Sequence, residues 1–130
     1  MGLKWLKNQK GQAIVESALV VPIILLLLLG MVEMGRVTNA YLVVTHAARH
    51  GARYGAVGAT NDEIIERIID VATPLNPAEL TIVIMPETGR AAGGDIQVSV
   101  TYPVQLITPV VESLISNPFP VKSEITMRIE

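Results

Sequence analysis

From Ala13 to Val32 the chain is almost continuously apolar, and the polar positions on either side of that run set out the rest of the molecule. The 16 residues Ser17–Val32 carry no charge. Past Glu33 a helical period continues through Arg36, Tyr41 and Val44 to Tyr54. Ala40, Val44, Ala47 or Ala48, Gly51 and Gly55 recur every three to four residues on one side, the spacing of a helix face. The pattern predicts one helix over residues 12 to about 57, about 68 Å long at the standard rise. Pro22 lies inside it and removes a hydrogen bond, which kinks or loosens the helix locally. In lipid this is tolerable when neighbours re-satisfy the freed carbonyl. Two uses of such a bend fit the residues equally: a plain kinked anchor, or easier packing between subunits.

The period changes after residue 58. Thr60-Asn61-Asp62-Glu63 reads as a capping box, and Ile64, Ile65, Ile68, Ile69 and Ala72 then form the stripe of a short helix that stops before Pro74. Leu80–Met85 is an apolar strand, followed by a loop, Pro86–Asp95, holding Gly89, Gly93 and Gly94. Ile96, Val98, Val100 and Tyr102 alternate with Gln97, Ser99 and Thr101, a half-buried strand. Pro109–Ser116 reads as a short helix. Val121, Ile125, Met127 and Ile129 alternate with polar residues to give a third strand. The expected fold is α+β: a long N-terminal helix, membrane-spanning in its first half, packed on a small three-stranded antiparallel sheet with short helices. One sheet face is apolar and needs a cover. The small-residue half of the long helix and the Ile64–Ile69 stripe can supply it. Gly51 and Gly55 form a small-xxx-small pair that lets another backbone approach closely. Each costs about 1 kcal/mol of helix stability relative to alanine, so close packing is the natural reason for them. The chain's own sheet is the preferred neighbour, ahead of another subunit.

Charge orients this picture. Lys4, Lys7 and Lys10 precede the apolar run with no acid among them. Setting those three aside leaves seven basic residues against twelve acidic ones, a net charge of −5. No basic stripe remains to neutralise phosphates, which argues against a nucleic-acid partner. The lysines place the N-terminal end in the cytoplasm by the positive-inside rule, and everything after Glu33 outside. Ser17–Val32 reaches only about 24 Å as a helix, against a hydrocarbon core of about 30 Å. Including Gln12–Glu16 brings the span to about 31 Å. Glu16 therefore sits slightly inside the cytoplasmic face. An acidic residue at a bilayer centre costs about 2.5–3.5 kcal/mol on insertion scales, so something should compensate for it. There is no cysteine, which removes disulfides and thiol chemistry.

A secretory signal would be cut after the apolar core. Gly30-Met31-Val32-Glu33 is no small-x-small site, and such a cut would sever a continuous helix. A cut before the core fits better. A short basic leader, Gly11, a glutamate five residues later and an apolar helix together resemble a type IV prepilin. The likeness extends through Glu16-Ser17-Ala18-Leu19-Val20-Val21-Pro22, Leu25–Leu29 and Gly30-Met31-Val32-Glu33-Met34-Gly35-Arg36 to Ala47-Ala48-Arg49-His50-Gly51-Ala52-Arg53-Tyr54-Gly55. Over about residues 10 to 57 the chain resembles the TadE-like pseudopilins of tight-adherence (Tad) pilus systems. Ser17 stands where that family often has an aromatic residue, while the glutamate is kept. The resemblance implies a leader over residues 1–11, cut by a prepilin peptidase between Gly11 and Gln12. It implies a helix over 12–57, spanning the membrane over about 12–32, and an extracytoplasmic α+β domain over 58–130. It implies that Glu16 pairs with the new Gln12 ammonium of its own or a neighbouring subunit, and that Glu16 and Pro22 serve assembly. The implied partners are the peptidase, other pilin or pseudopilin subunits, the inner-membrane assembly platform and the lipid bilayer. The implied locations are the inner membrane and then the pilus at the cell surface, in adhesion or secretion. Major Tad-type pilins are much shorter and lack a sheet domain, so the resemblance points to a minor component. The alternative is an unprocessed bitopic membrane protein whose outer domain binds a partner.

Other chemistry finds little support. His46 and His50 have metal-ligand spacing, but no glutamate lies between them and Arg49 and Arg53 would repel a cation. A solvated face is the better reading. Glu33 and Arg36, three apart, can pair at the outer membrane surface as an interfacial anchor. The glycine loop has no GK[ST] end and no helix start behind it, so it is not a phosphate cradle. No nucleophile–base pair or acid cluster points to catalysis, and no cofactor is expected. Aromatics are too sparse for a base-stacking platform.

Overall fold

The computed structural model describes residues 9–130. Lys4, Trp5 and Lys7, in the expected leader, lie outside the described residues. Helix α1 runs Gln9–Ala56, 48 residues, or about 72 Å at the standard rise. Its described residues reach back past the expected position at Gln12, so Gly11 and Gln12 both lie within the helix. A single glycine costs only about 1 kcal/mol in a helix, too little to stop one that the apolar run continues. Pro22 is accommodated inside it. The first half of α1 leaves Ile14, Leu19 and Ile23–Leu29 exposed, and the helix is long and apolar enough to cross a membrane. The second half buries Ala40, Val44, Ala47, Ala48, Ala52 and Ala56. The small side chains on that face bring α1 close to the rest of the fold.

Helix α2 (Asn61–Val71) begins at the capping box read from the sequence. The Thr60 hydroxyl accepts from the Glu63 amide, and Glu63 Oε2 accepts from the Thr60 amide at 2.8 Å. Two otherwise orphaned donors are thereby satisfied. Ile64 and Ile68 are fully buried. A single 3-10 turn at Pro77–Glu79 leads into the sheet.

Strands β1 (Thr81–Met85), β2 (Asp95–Val104) and β3 (Phe119–Arg128) form an antiparallel sheet in the order β1-β2-β3. Val98 sits opposite Ile84 on one side and Ile125 on the other. The period-2 alternation turns Ile84, Ile96, Val98, Val100 and Val121 inward, and leaves Gln97, Ser99, Lys122 and Glu124 on the outer face. Both α1 and α2 contribute to the core beneath the inner face. At the far end of the sheet Gly93, at φ 83°, adopts a left-handed conformation that suits glycine. Its amide donates to Ile129 O, and the Ile129 amide donates to Gly94 O, each at 2.8 Å. At the other end the β2–β3 connection contains helix α3 (Pro109–Leu114). Asn117 pins that connection: its Oδ1 accepts from the Leu106 amide at 3.0 Å, and its Nδ2 donates to Leu106 O and to Glu112 Oε1.

Candidate functional site

The residues singled out by the sequence are spread along α1 in three groups. The first comprises Gly11, Gln12, Glu16 and Pro22. A Cβ at Gly11 would meet nothing within 4 Å, so the fold itself does not require glycine there. Glu16 is exposed on the apolar stretch, and among the described residues no ion pair reaches it. It follows Gln12 by four residues, about 6 Å along the axis. Helical side chains tilt toward the N-terminus, so the Glu16 side chain lies over the turn that holds Gln12. Ala13, Glu16, Ser17, Val20 and Val21 share one face and line a shallow groove. Pro22 is about 9 Å further along the axis.

The second group is centred on Glu33. Its side chain is only 3% exposed. Oε1 accepts from Arg36 Nη1 at 2.9 Å and from the Ile107 amide at 3.3 Å, while Oε2 accepts from the buried Thr108 hydroxyl at 3.2 Å. The expected Glu33–Arg36 pair is therefore present. Its setting, however, is a buried carboxylate that fastens the β2–β3 connection to α1 just past the apolar run. The Ile107 and Thr108 donors lie more than seventy residues away in sequence, and neither residue carries a mark that links it to Glu33. One signal did exist: Glu33 falls on the same helical stripe as Val37, Ala40 and Val44.

The third group is Gly51 and Gly55, both buried. A Cβ at Gly51 would lie 2.6 Å from Ile68 Cδ1. One at Gly55 would overlap Ile96 Cδ1 and approach Ile64 Cδ1 to 3.0 Å. Gly55 thus faces both β2 and α2. At Gly51 the three nearest atoms all belong to Ile68 and Ile64 of α2. His46 and His50 point to the exposed side of α1, and among the described residues no group of potential metal ligands forms.

These features define a class: an α+β domain carried on a helix whose N-terminal half is apolar, unburied and long enough to cross a membrane, with one carboxylate inside the apolar segment. Residues 11–53 match the family model described as TadE-like protein, which bears out the resemblance over that stretch. The match begins at the glycine of the expected cut and runs into the packed half of α1, leaving out α2 and the sheet. No curated protein and no solved structure matches the chain.

Proposed function

We propose that the protein is a pilin-like subunit, a minor component of a Tad-type pilus, held in the inner membrane before incorporation and exposed at the cell surface afterwards. The observation that carries this reading is the coincidence of the TadE-like match with α1, the helix that leaves its apolar first half without a partner in the fold. In this account the lysine-rich end is cytoplasmic, and a prepilin peptidase cuts between Gly11 and Gln12. The cut takes place inside what is a helical turn in the uncut chain, so the segment around Gly11 must unwind to enter the peptidase. A residue with no side chain and low helix propensity favours that unwinding. The cut creates an ammonium at Gln12, one turn from Glu16. Opposite charges attract strongly where water is excluded, so this pair offsets the burial of Glu16 once α1 packs among the helices of a filament. The role is structural, in adhesion or secretion, and involves no catalysis by this chain.

Glu16→Ala tests the pairing. The span becomes more apolar, so insertion and processing persist. The Gln12 ammonium loses its partner, and removing one member of a buried pair costs about 3–5 kcal/mol. The expected result is processed, membrane-resident protein that is absent from sheared pili. Normal incorporation of the alanine variant would reject the pairing and leave Glu16 as a residue that merely sits near the lipid headgroups before assembly.

A further inference from the structure

The β2–β3 connection, Gln105–Pro118, meets α1 where its apolar run ends. Glu33 holds it there through the Ile107 amide and the Thr108 hydroxyl. Below these bonds Gly30, Met34 and Val37 of α1 face Leu106, Val111 and Ile115 across an almost wholly apolar cleft of about 210 Å³. If Gln12–Val32 fills the hydrocarbon, Gly30 lies about 3–4 Å inside its outer edge and Met34 about 3 Å outside it. The connection is thus fixed at the boundary between acyl chains and headgroups.

Its free side is apolar. Ile107 is 65% exposed and Leu114 is 80% exposed, and Val110 and Ile115 are exposed beside them. On α1, Met31 and Met34 are exposed at the same level and continue the surface toward the span. Between Gln105 and Pro118 the single charge is Glu112, whose Oε1 is already bonded to Asn117 Nδ2 at 2.9 Å. A contiguous exposed apolar patch marks an interaction site, whereas apolar residues scattered singly do not. The outer face of the sheet, carrying Lys122, Glu124 and Arg128, has the opposite character.

We infer that Ile107, Val110, Leu114 and Ile115 dip into the outer leaflet of the bilayer, making the β2–β3 connection a second membrane contact beside α1. Interfacial segments of this type bury their apolar side about 5–10 Å into the boundary between headgroups and acyl chains. Lipid fits better than a protein partner because the patch is continuous with the unburied side of α1 at the level where the span ends. Two contacts also fix the tilt and rotation of the domain before incorporation, which one helix followed by a flexible link would not do. Leaving the membrane then means withdrawing this patch together with α1. The inference rests on the membrane-spanning reading of α1.

The chain has no cysteine, so single-cysteine variants can each carry one environment-sensitive fluorophore. The full chain is reconstituted in phosphatidylethanolamine/phosphatidylglycerol vesicles at high lipid-to-protein ratio, with labels at Leu114→Cys, Ile24→Cys and Thr126→Cys. Thr126 is seven residues along β3 from Phe119, about 23 Å away, on the outer face. The expected result is quenching at Leu114 by nitroxide placed shallow in the acyl chains, at Ile24 by nitroxide placed deep, and none at Thr126. Quenching at Ile24 without quenching at Leu114 overturns the inference and leaves the span intact. No quenching at either removes the spanning reading itself. Quenching at Thr126 equal to that at Leu114 overturns the inference, since the domain would then lie on the membrane without regard to this patch. A blue shift at Leu114 that grows with protein density, without lipid quenching, assigns the patch to a neighbouring subunit and also overturns it.

Discussion

Replacing Gly55 with alanine adds one methyl group, and the fold leaves no room for it. The new Cβ would overlap Ile96 Cδ1 and lie 3.0 Å from Ile64 Cδ1. Neither isoleucine can swing into solvent, because both are fully buried. Overpacking of this kind costs about 1–3 kcal/mol. Against it stands the better helix propensity of alanine, about 1 kcal/mol. The net expectation is a loss of up to about 2 kcal/mol. Gly35 provides the internal control. It lies in the same helix, and a Cβ there would meet nothing within 4 Å. Gly35→Ala should therefore keep only the propensity gain, at most about 1 kcal/mol of stabilisation. In a 60–100-residue domain each kcal/mol moves the melting temperature by about 4–8 °C. The two variants should thus melt on opposite sides of the parent, followed by circular dichroism of the full chain in detergent and by protease resistance of residues 58–130. Gly55→Leu should be worse than Gly55→Ala. If Gly55→Ala melted at or above Gly35→Ala, the close approach of α1 to β2 and α2 would be refuted.

Three further outcomes follow from the same contacts. Glu33→Ala leaves the buried Thr108 hydroxyl and the Ile107 amide without their acceptor, a loss of about 1–3 kcal/mol for each group, so the 105–118 connection should gain hydrogen exchange and proteolytic cleavage; unchanged protection there would refute the fastening role. The Thr60 amide, and secondarily its hydroxyl, hold the Glu63 carboxyl below its ordinary value. A lowered folded pKa means that this contribution is complete above the ordinary glutamate range and is lost as pH falls through the folded value, so acidification should fray the start of α2, and Glu63→Gln should remove that part of the pH dependence while leaving α2 less protected at neutral pH. A variant whose acid response matched the parent would refute this. Gly51→Leu should loosen α2 by driving into Ile68, seen as faster exchange over residues 61–71 than over β2; equal effects on both elements would contradict the packing of Gly51 on α2.

Much of this fold follows from periodicity. The run from Ala13 to Val32 and the small-residue stripe beyond it have no competing reading, because both halves keep a helical period across Glu33. The alternation at Ile96–Tyr102 and Val121–Ile129 gives two strands and their inward faces, and Thr60–Glu63 gives the start of α2 to the residue. The start of α1 was less legible. Gly11 looks like a boundary, yet α1 includes it and reaches back to Gln9. Strand order was not legible either, since any of the three could lie at the centre until the register placed β2 there. At the candidate site, Gly51 and Gly55 announce a close approach and the sheet is the expected neighbour; Gly55 does meet Ile96 of β2, but Ile64 and Ile68 of α2 also press on the pair, because α2 folds back against α1. Glu33 looks like half of a surface pair because Arg36 is its local neighbour. Its other two donors arrive through tertiary folding, across more than seventy residues, and no local pattern encodes that.

In the proposed function, maturation at Gly11 precedes incorporation into the filament. Trp5 is the only tryptophan and falls within the proposed leader, so the mature chain should lose indole fluorescence together with residues 1–11. The direct measurement is the intact mass of the protein isolated from cells with an active prepilin peptidase, set against cells lacking it. The expected masses are that of a chain beginning at Gln12 in the first case and that of one retaining residues 1–11 in the second. A mass that still includes residues 1–11 in the presence of the active peptidase would contradict that maturation.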